Sequence, residues 1–406
     1  MLRRSLGVVA AAGLLATVAA PVAAQDSKVV NIPAGEPVTI GVWQVLSGAN
    51  ASLGQDEVYG AEIAVADRGG EILGHEIKLN EQDELCNVEG GAQAALALAS
   101  DPTVVGMIGP SCSDAVVGGI QTVTEAGLTT VSGSATRLTL TAPDRGPEYD
   151  GFLRTAWSDS VQGKAVAEFV QSLGLTKAAT IHDGSAYAEG LVGVFEEEFQ
   201  KLGGEITASE AVSVGQTDMT PVLTNVAASE PEVIYFPIFT AEGGYIVDQV
   251  RDVAGLEDVA LVGSDGLATL DFIEAAGPDV EGVYLSMPNF SLFQDSYADL
   301  LDKYLELSGL DSPLAPFHAH TYDATSIMLD AIEQVAVAND DGSLSIDLGA
   351  LREALYATQD YPGVTGTLTC TEFGDCGAPI IAVYQVSADT YENQTWPPEL
   401  VWVPED

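Results

Sequence analysis

The chain has 406 residues, enough to bury two or three separate cores, and its 47% hydrophobic content sets it apart from disordered tails and membrane bundles. Sixty acidic side chains against 14 basic ones give a formal net charge of -46, dispersed along the sequence. That field repels nucleic acid and anionic membrane surfaces, so neither is an expected partner; it suits a solvated surface in saline surroundings, where screening shortens the self-repulsion.

Arg3 and Arg4 precede an apolar run from Leu6 to Ala20, and Val22, Ala23 and Ala24 follow as a small-x-small cleavage signature. Residues 1–24 therefore read as a signal peptide, with Gln25 as the mature start and an exported, soluble product. No Cys stands at the cleavage point, so no lipid anchor is expected, and nothing later reaches ~18 uninterrupted apolar residues.

Downstream, residues 37–43 read as a buried strand, SGANASLGQ as a loop, and 56–68 as a helix closed by Gly69 and Gly70. A strand at 76–81 and a helix at 88–100 lead into residues 104–136, an apolar β-branched run, a small-residue loop, a helical stretch ending in Ala-Gly-Leu, a second apolar run and a Gly/Ser loop. The same grammar returns at 233–266, so a β-α-β unit is written twice. Between the copies lie a helix at 164–174, a strand at 178–182, the loop DGSAYAEG and a helix whose Leu191, Phe195, Phe199 and Leu202 form one apolar stripe, stopped by Gly203 and Gly204. After the second copy come a strand at 282–287, helices at 295–306, 322–336 and 348–358, and a hairpin over 368–386. Ligands of parallel α/β sheets sit beyond the carboxyl ends of the strands. Two such units facing each other make a two-lobed ligand clamp, and the lack of a Pro- or Ser-rich linker points to interleaved lobes.

Four cysteines in an exported chain suggest disulfides. Three pairings exist; spacing favours Cys86 with Cys112 and Cys370 with Cys376, the second closing a turn at Gly374-Asp375. Their loops stabilise by about 3.5 and about 2.4 kcal/mol in the chain-entropy account. His318 and His320 stand far from any Cys, so no metal site is expected. There is no Walker loop or GxGxxG fingerprint, and no cofactor is expected. Gly109-Pro110-Ser111-Cys112-Ser113 approaches a hydrolase elbow but lacks its final glycine, which leaves a serine hydrolase using His182 and Asp183 as a distant alternative to a binding protein.

From about residue 38 to 386, the ordered pieces SGANASLGQ, DELC, GPSCS, SGSAT, HDGSAYAEGL, IYFPIFTAEGG, VGSDG and TYDATSIMLDAI resemble the periplasmic leucine/isoleucine/valine-binding proteins of ABC importers. The resemblance implies the type I periplasmic binding fold: two Rossmann-like α/β lobes with parallel central sheets, joined by a three-strand hinge with crossovers near Trp157, Met287 and Gly366. The N-terminal lobe would hold 37–156 and 288–366, and the C-terminal lobe 157–287 and 367–406. It also pairs Cys86 with Cys112, and implies a monomer that passes an amino acid to a membrane permease. Carried over by position, Ser113, Ser134, Ala135 and Thr136 would hold the ligand carboxylate, while Tyr187 and Asp265 would face its ammonium. Such a site buries no unpaired charge. Leu53 stands where the family often has an aromatic residue, Phe239 where it has Tyr, and Asp265 where it has Glu. An aliphatic or aromatic amino acid is the expected solute, with a short amide, urea or small carboxylate as the alternative. Capping or turn formation by Ser113, Ser134, Thr136 and Asp265, and packing by Tyr187, are the local roles these residues would otherwise fill. Arg137 is expected at the surface or at a helix start, and Trp157 near the hinge is expected either to wall the cleft or to pack in the core.

Overall fold

A computed structural model describes residues 28–405; the expected signal peptide lies outside them. The first run of elements is β1 (Val29–Ile32), β2 (Val38–Gln44), α1 (Ala51–Asp67), β3 (Glu71–Ile72), β4 (His75–Asp83), α2 (Val88–Ser100), β5 (Val104–Ile108), α3 (Ser113–Glu125), β6 (Thr130–Ser132) and β7 (Phe152–Arg154). The second is α4 (Asp159–Ser172), β8 (Lys177–His182), α5 (Ala186–Lys201), β9 (Glu205–Ala211), α6 (Thr220–Ala228), β10 (Val233–Tyr235), α7 (Thr240–Val250), β11 (Ala260–Gly263), α8 (Leu270–Ala276) and β12 (Tyr284–Pro288). The third is α9 (Ser296–Ser308), α10 (His318–Val335), β13 (Val337–Ala338), β14 (Leu344–Asp347), α11 (Leu348–Tyr356), β15 (Tyr361–Gly363), β16 (Gly366–Leu368), β17 (Ile381–Gln385), α12 (Ala388–Asn393) and β18 (Glu399–Trp402).

The repeat seen in the sequence extends to whole sheets. One sheet runs β3-β4-β2-β5-β6-β7 and the other β18-β17-β12-β11-β10-β8-β9. Setting aside the antiparallel edges β3, β17 and β18, each has five parallel strands in the same order, with the first strand second from the edge. In that order successive connections leave to opposite sides of the first strand, opening a crevice at its carboxyl end. The crevices fall between β2 and β5 and between β8 and β10.

Each sheet has its own core. Trp43, Leu98, Met107, Phe152 and Met328 are fully buried around the first; Phe195, Tyr235, Phe236 and Phe272 are fully buried around the second. A smaller cluster of Val45, Leu53, Cys112, Trp157, Ala165, Phe317 and Ile381 joins elements of both. The chain passes between the lobes three times, after β7, after β12 and between β16 and β17. The last crossing is later than the one expected near Gly366. Leu368, Cys370 and Cys376 belong to the first core, because Arg154 of β7 pairs with Asp375 inside the disulfide loop (Nε to Oδ1, 2.5 Å). Both expected disulfides form, Cys86–Cys112 and Cys370–Cys376.

Several expectations need correction. Residues 368–386 do not form a hairpin: β16 pairs with β15, whereas β17 lies between β12 and β18. The loops SGANASLGQ and DGSAYAEG are largely the first turns of α1 and α5. Gly54 sits inside α1, where the helix presses on the end of β2: a Cβ there would lie 1.9 Å from the Val45 carbonyl oxygen. Leu202 follows α5 and is exposed, so the stripe stops at Phe199. Edge strand β9, half-exposed along most of its length, and the short helices α6 and α8 carry too little apolar periodicity to be read.

Gly60 makes the same kind of close approach between α1 and α10, where an added Cβ would meet the His318 carbonyl oxygen at 2.2 Å. Gly60→Ala must push two packed helices apart, and is expected to cost about 1–3 kcal/mol, read as a lower urea midpoint with an unchanged slope.

Candidate functional site

Both crevices open onto one small cavity, lined by Leu53, Glu57, Ser111, Cys112, Ser113, Ser134, Tyr187, Phe239, Asp265, Gly266 and Phe317. Loops of the first sheet supply Ser111, Ser113 and Ser134, and loops of the second supply Phe239 and Asp265. Helix starts at α1, α5 and α10 add the remaining large side chains.

On the second wall, Asp265 is 2% exposed. Its Oδ1 accepts from the Tyr187 hydroxyl (2.8 Å) and from Gln162 Nε2 (2.6 Å), and Gln162 is held in turn by the Trp157 indole N–H (2.7 Å). Tyr187 also accepts from Gly266 N–H (3.3 Å) and shares a 2.6 Å bond with Ser264. No side-chain donor among the described residues reaches Asp265 Oδ2. Trp157 therefore has a positioning role: it orients Gln162 and stacks on Phe317 (centroids 5.9 Å apart).

On the first wall, Ser113 opens α3 and its hydroxyl oxygen accepts from the Arg137 backbone N–H (3.2 Å). Its own hydrogen has no acceptor among the described residues. Disulfide-bonded Cys112 precedes it, with its N–H on Glu84 (3.1 Å). Asp56 accepts from the N–H groups of Phe317 (2.9 Å) and His318 (2.7 Å), which fixes the start of α10 and sets the Phe317 ring over the cavity.

The loop at 134–136 differs from expectation. Ser134 and Ala135 both donate their N–H groups to Ser132 Oγ (3.2 and 2.9 Å), and Ala135 does not line the cavity. Those amides already have partners. Thr136 also lies behind the lining, and its buried hydroxyl sits against the carboxyl of fully buried Asp159. Arg154, fully buried, holds this loop through the carbonyls of Ala135 (3.2 Å) and Arg137 (2.9 Å). Arg137, for which a surface or helix-start role is expected, is half-buried and precedes the helical turn Leu138–Leu140, and its Nε has no partner among the described residues.

Glu57, Ser111, Cys112, Gly266 and Phe317 line the cavity without having been singled out from sequence as ligand contacts. A signal existed for Glu57: it follows Leu53 by four residues, so the two share a face of α1. The Ser111 hydroxyl bonds Gln44 Oε1 (2.7 Å) and accepts from Val45 N–H (3.2 Å), while His182 accepts from Gly184 N–H in its own turn (3.1 Å). That pattern gives the hydrolase alternative no serine–histidine pair.

Three carboxyl groups at or beside the cavity are displaced upward, each chiefly by burial. Asp265 rises to about 6, Asp159 to about 7 and Glu57 to about 8. No Lys or Arg lines the cavity. Because Asp265 titrates higher folded than unfolded, the native state binds the extra proton between about pH 4 and 6. Its stabilising effect is complete below that window and is lost as pH rises through about 6. At pH 8, ionised Asp265 thus costs about 3 kcal/mol. Asp265→Asn keeps the acceptor for Tyr187 and Gln162, and is expected to raise the melting temperature by a few degrees at pH 8 and leave it unchanged near pH 4 in solute-free thermal scans.

Comparison with known proteins places this geometry among relatives. The family model described as periplasmic binding protein matches residues 37–390. The Leu/Ile/Val-binding protein homolog 3 of Brucella melitensis is 28% identical, over 86% of this chain and 91% of its own. The Leu/Ile/Val-binding protein of Escherichia coli is 27% identical over 64% of this chain and 69% of its own. The branched-chain amino acid transporter substrate binding protein LivJ of Streptococcus pneumoniae, solved with isoleucine, superposes with a TM-score of 0.76 at 25% identity, covering 90% of this chain and all of LivJ.

Proposed function

The chain belongs to the periplasmic binding protein family, and on that premise we propose that it captures an aliphatic, branched-chain or aromatic amino acid between its lobes and hands it to the permease of an ABC importer. The observation that carries this reading is the polarity of the cavity. A hydroxyl hydrogen with no acceptor among the described residues, on Ser113 at the start of α3, stands on one wall, and a buried carboxylate that no Lys or Arg opposes, Asp265, stands on the other. A carboxylate suits a hydroxyl and free amides at a helix N-terminus, and an ammonium suits Asp265. Leu53, Phe239 and Phe317 leave an apolar space for the side chain.

Capture works by population shift. The solute docks on the first wall, and closure brings up Tyr187, Phe239 and Asp265, contacts available only in the shut form. Contacts between the lobes hold that form: Asp114 at the start of α3 accepts from the Ala186 N–H at the start of α5 (2.8 Å), and Ser52 of α1 donates to Asp271 of α8. The closed shape is what the permease reads. Residues 1–24 as an export signal, two disulfides and the acidic composition all favour a monomer working outside the cytoplasm. Among the described residues no helix is long and apolar enough to cross a membrane.

Calorimetry with L-leucine, L-isoleucine and L-phenylalanine tests the assignment. Asp265→Ala should weaken the bound amino acid by about 2–4 kcal/mol, since an ammonium is left without its partner. Unchanged affinity in that variant, or binding confined to amine-free acids and amides, would remove the zwitterion reading.

A further inference from the structure

Glu57 is fully buried in the cavity wall near the serines that face the solute, a costly place for a second anion. Its hydrogen bonds say which protonation state the fold accommodates. The Ser134 hydroxyl lies 2.9 Å from Glu57 Oε1 and 2.9 Å from the Ser111 carbonyl oxygen. A hydroxyl has one hydrogen and a carbonyl only accepts, so that hydrogen belongs to Ser111. The Ser134–Glu57 contact then needs a hydrogen carried by Glu57 itself. Thr321 Oγ1 donates to the other oxygen, Oε2, at 3.2 Å, and the Ser111 hydroxyl gives its hydrogen to Gln44. With a proton on Oε1 every partner is matched; as an anion, Glu57 would take the hydrogen on which the Ser111 carbonyl depends.

We propose that Glu57 is a specificity-determining residue acting as a neutral acid: together with Ser111, Ser134 and Thr321 it forms an uncharged wall that tolerates the solute's carboxylate, and on ionising it turns into a wall that repels it. The inference rests on the zwitterion reading of the cavity. The hydroxyls of Ser111, Ser134 and Thr321 favour the anion, but burial and the neighbouring acids outweigh them. Asp56, its neighbour on α1, is engaged with the start of α10 and His318; Glu84 after β4 and Asp114 on α3 are both acidic; Asp265 faces it across the cavity; His320 on α10 is held neutral by burial. No Lys or Arg lines the cavity, and burial pushes Glu57 up to about 8. Between about pH 6 and 8 the cavity thus has one charged wall and one neutral wall.

The test pairs Glu57→Gln with a direct measurement of the proton. L-Leucine affinity of the Gln variant should stay within about threefold of wild type at pH 7. It should also hold up to pH 9, while wild-type affinity falls by about tenfold. A loss of more than about tenfold in the variant at pH 7, or a wild-type affinity that does not decline toward pH 9, would overturn the proposal. Infrared spectra of solute-free wild type should contain a protonated carboxyl carbonyl band at pH 7 that fades on titration toward pH 9 and is missing from the variant. If leucine fails to bind the wild type, the amino acid reading falls and the infrared result still decides the state of Glu57. Absence of that band from wild type would overturn the proposal independently of how the variant folds.

Discussion

A carboxyl group taken out of water with no cation beside it costs several kcal/mol, and this fold does so with Glu57, Asp159 and Asp265 around one small space. Each is handled differently. Asp265 is met by a phenol and an amide converging on one oxygen; Glu57 is met by the Ser134 and Thr321 hydroxyls; Asp159 lies against the Thr136 hydroxyl. The same arrangement disfavours any ligand of net negative charge, because nothing in the lining would neutralise it.

The architecture exists to bring those groups together from distant parts of the chain. Two sheets of the same strand order turn their crevices toward each other, so that loops at the carboxyl ends of β2, β5 and β6 face loops from β8, β10 and β11. Buried Arg154 links two levels of this arrangement. It ties the loop bearing Thr136 to the disulfide turn bearing Asp375, so the site loop and the third crossing share one anchor. Asp56 does the corresponding work for Phe317, while the next residue, Glu57, faces the cavity.

Much of this was legible in the residues. The doubled β-α-β grammar gave two parallel sheets, and the ordered motifs gave the positions of Leu53, Ser113, Ser134, Tyr187, Phe239 and Asp265, all of which line the cavity. What escaped depends on contacts between segments far apart in sequence. Gly54 looks like a helix breaker until the Val45 backbone is seen against it, and the polar edge strand β9 has no apolar rhythm because only part of it is covered. The amides of Ser134 and Ala135 looked available because nothing in the sequence shows that Ser132 would take them. Phe317 reaches the cavity only because Asp56, some 260 positions earlier, caps the helix that follows it.

The first core is unfinished until late in synthesis. It includes Met328, Leu368 and Cys376 besides Trp43 and Met107, so the amino-terminal sheet has no complete apolar partner until most of the polypeptide has emerged. Contiguous domains commonly consolidate one after another during translation. Here the interleaving postpones that step, so the amino-terminal sheet consolidates only once segments from the carboxyl-terminal third of the chain are available.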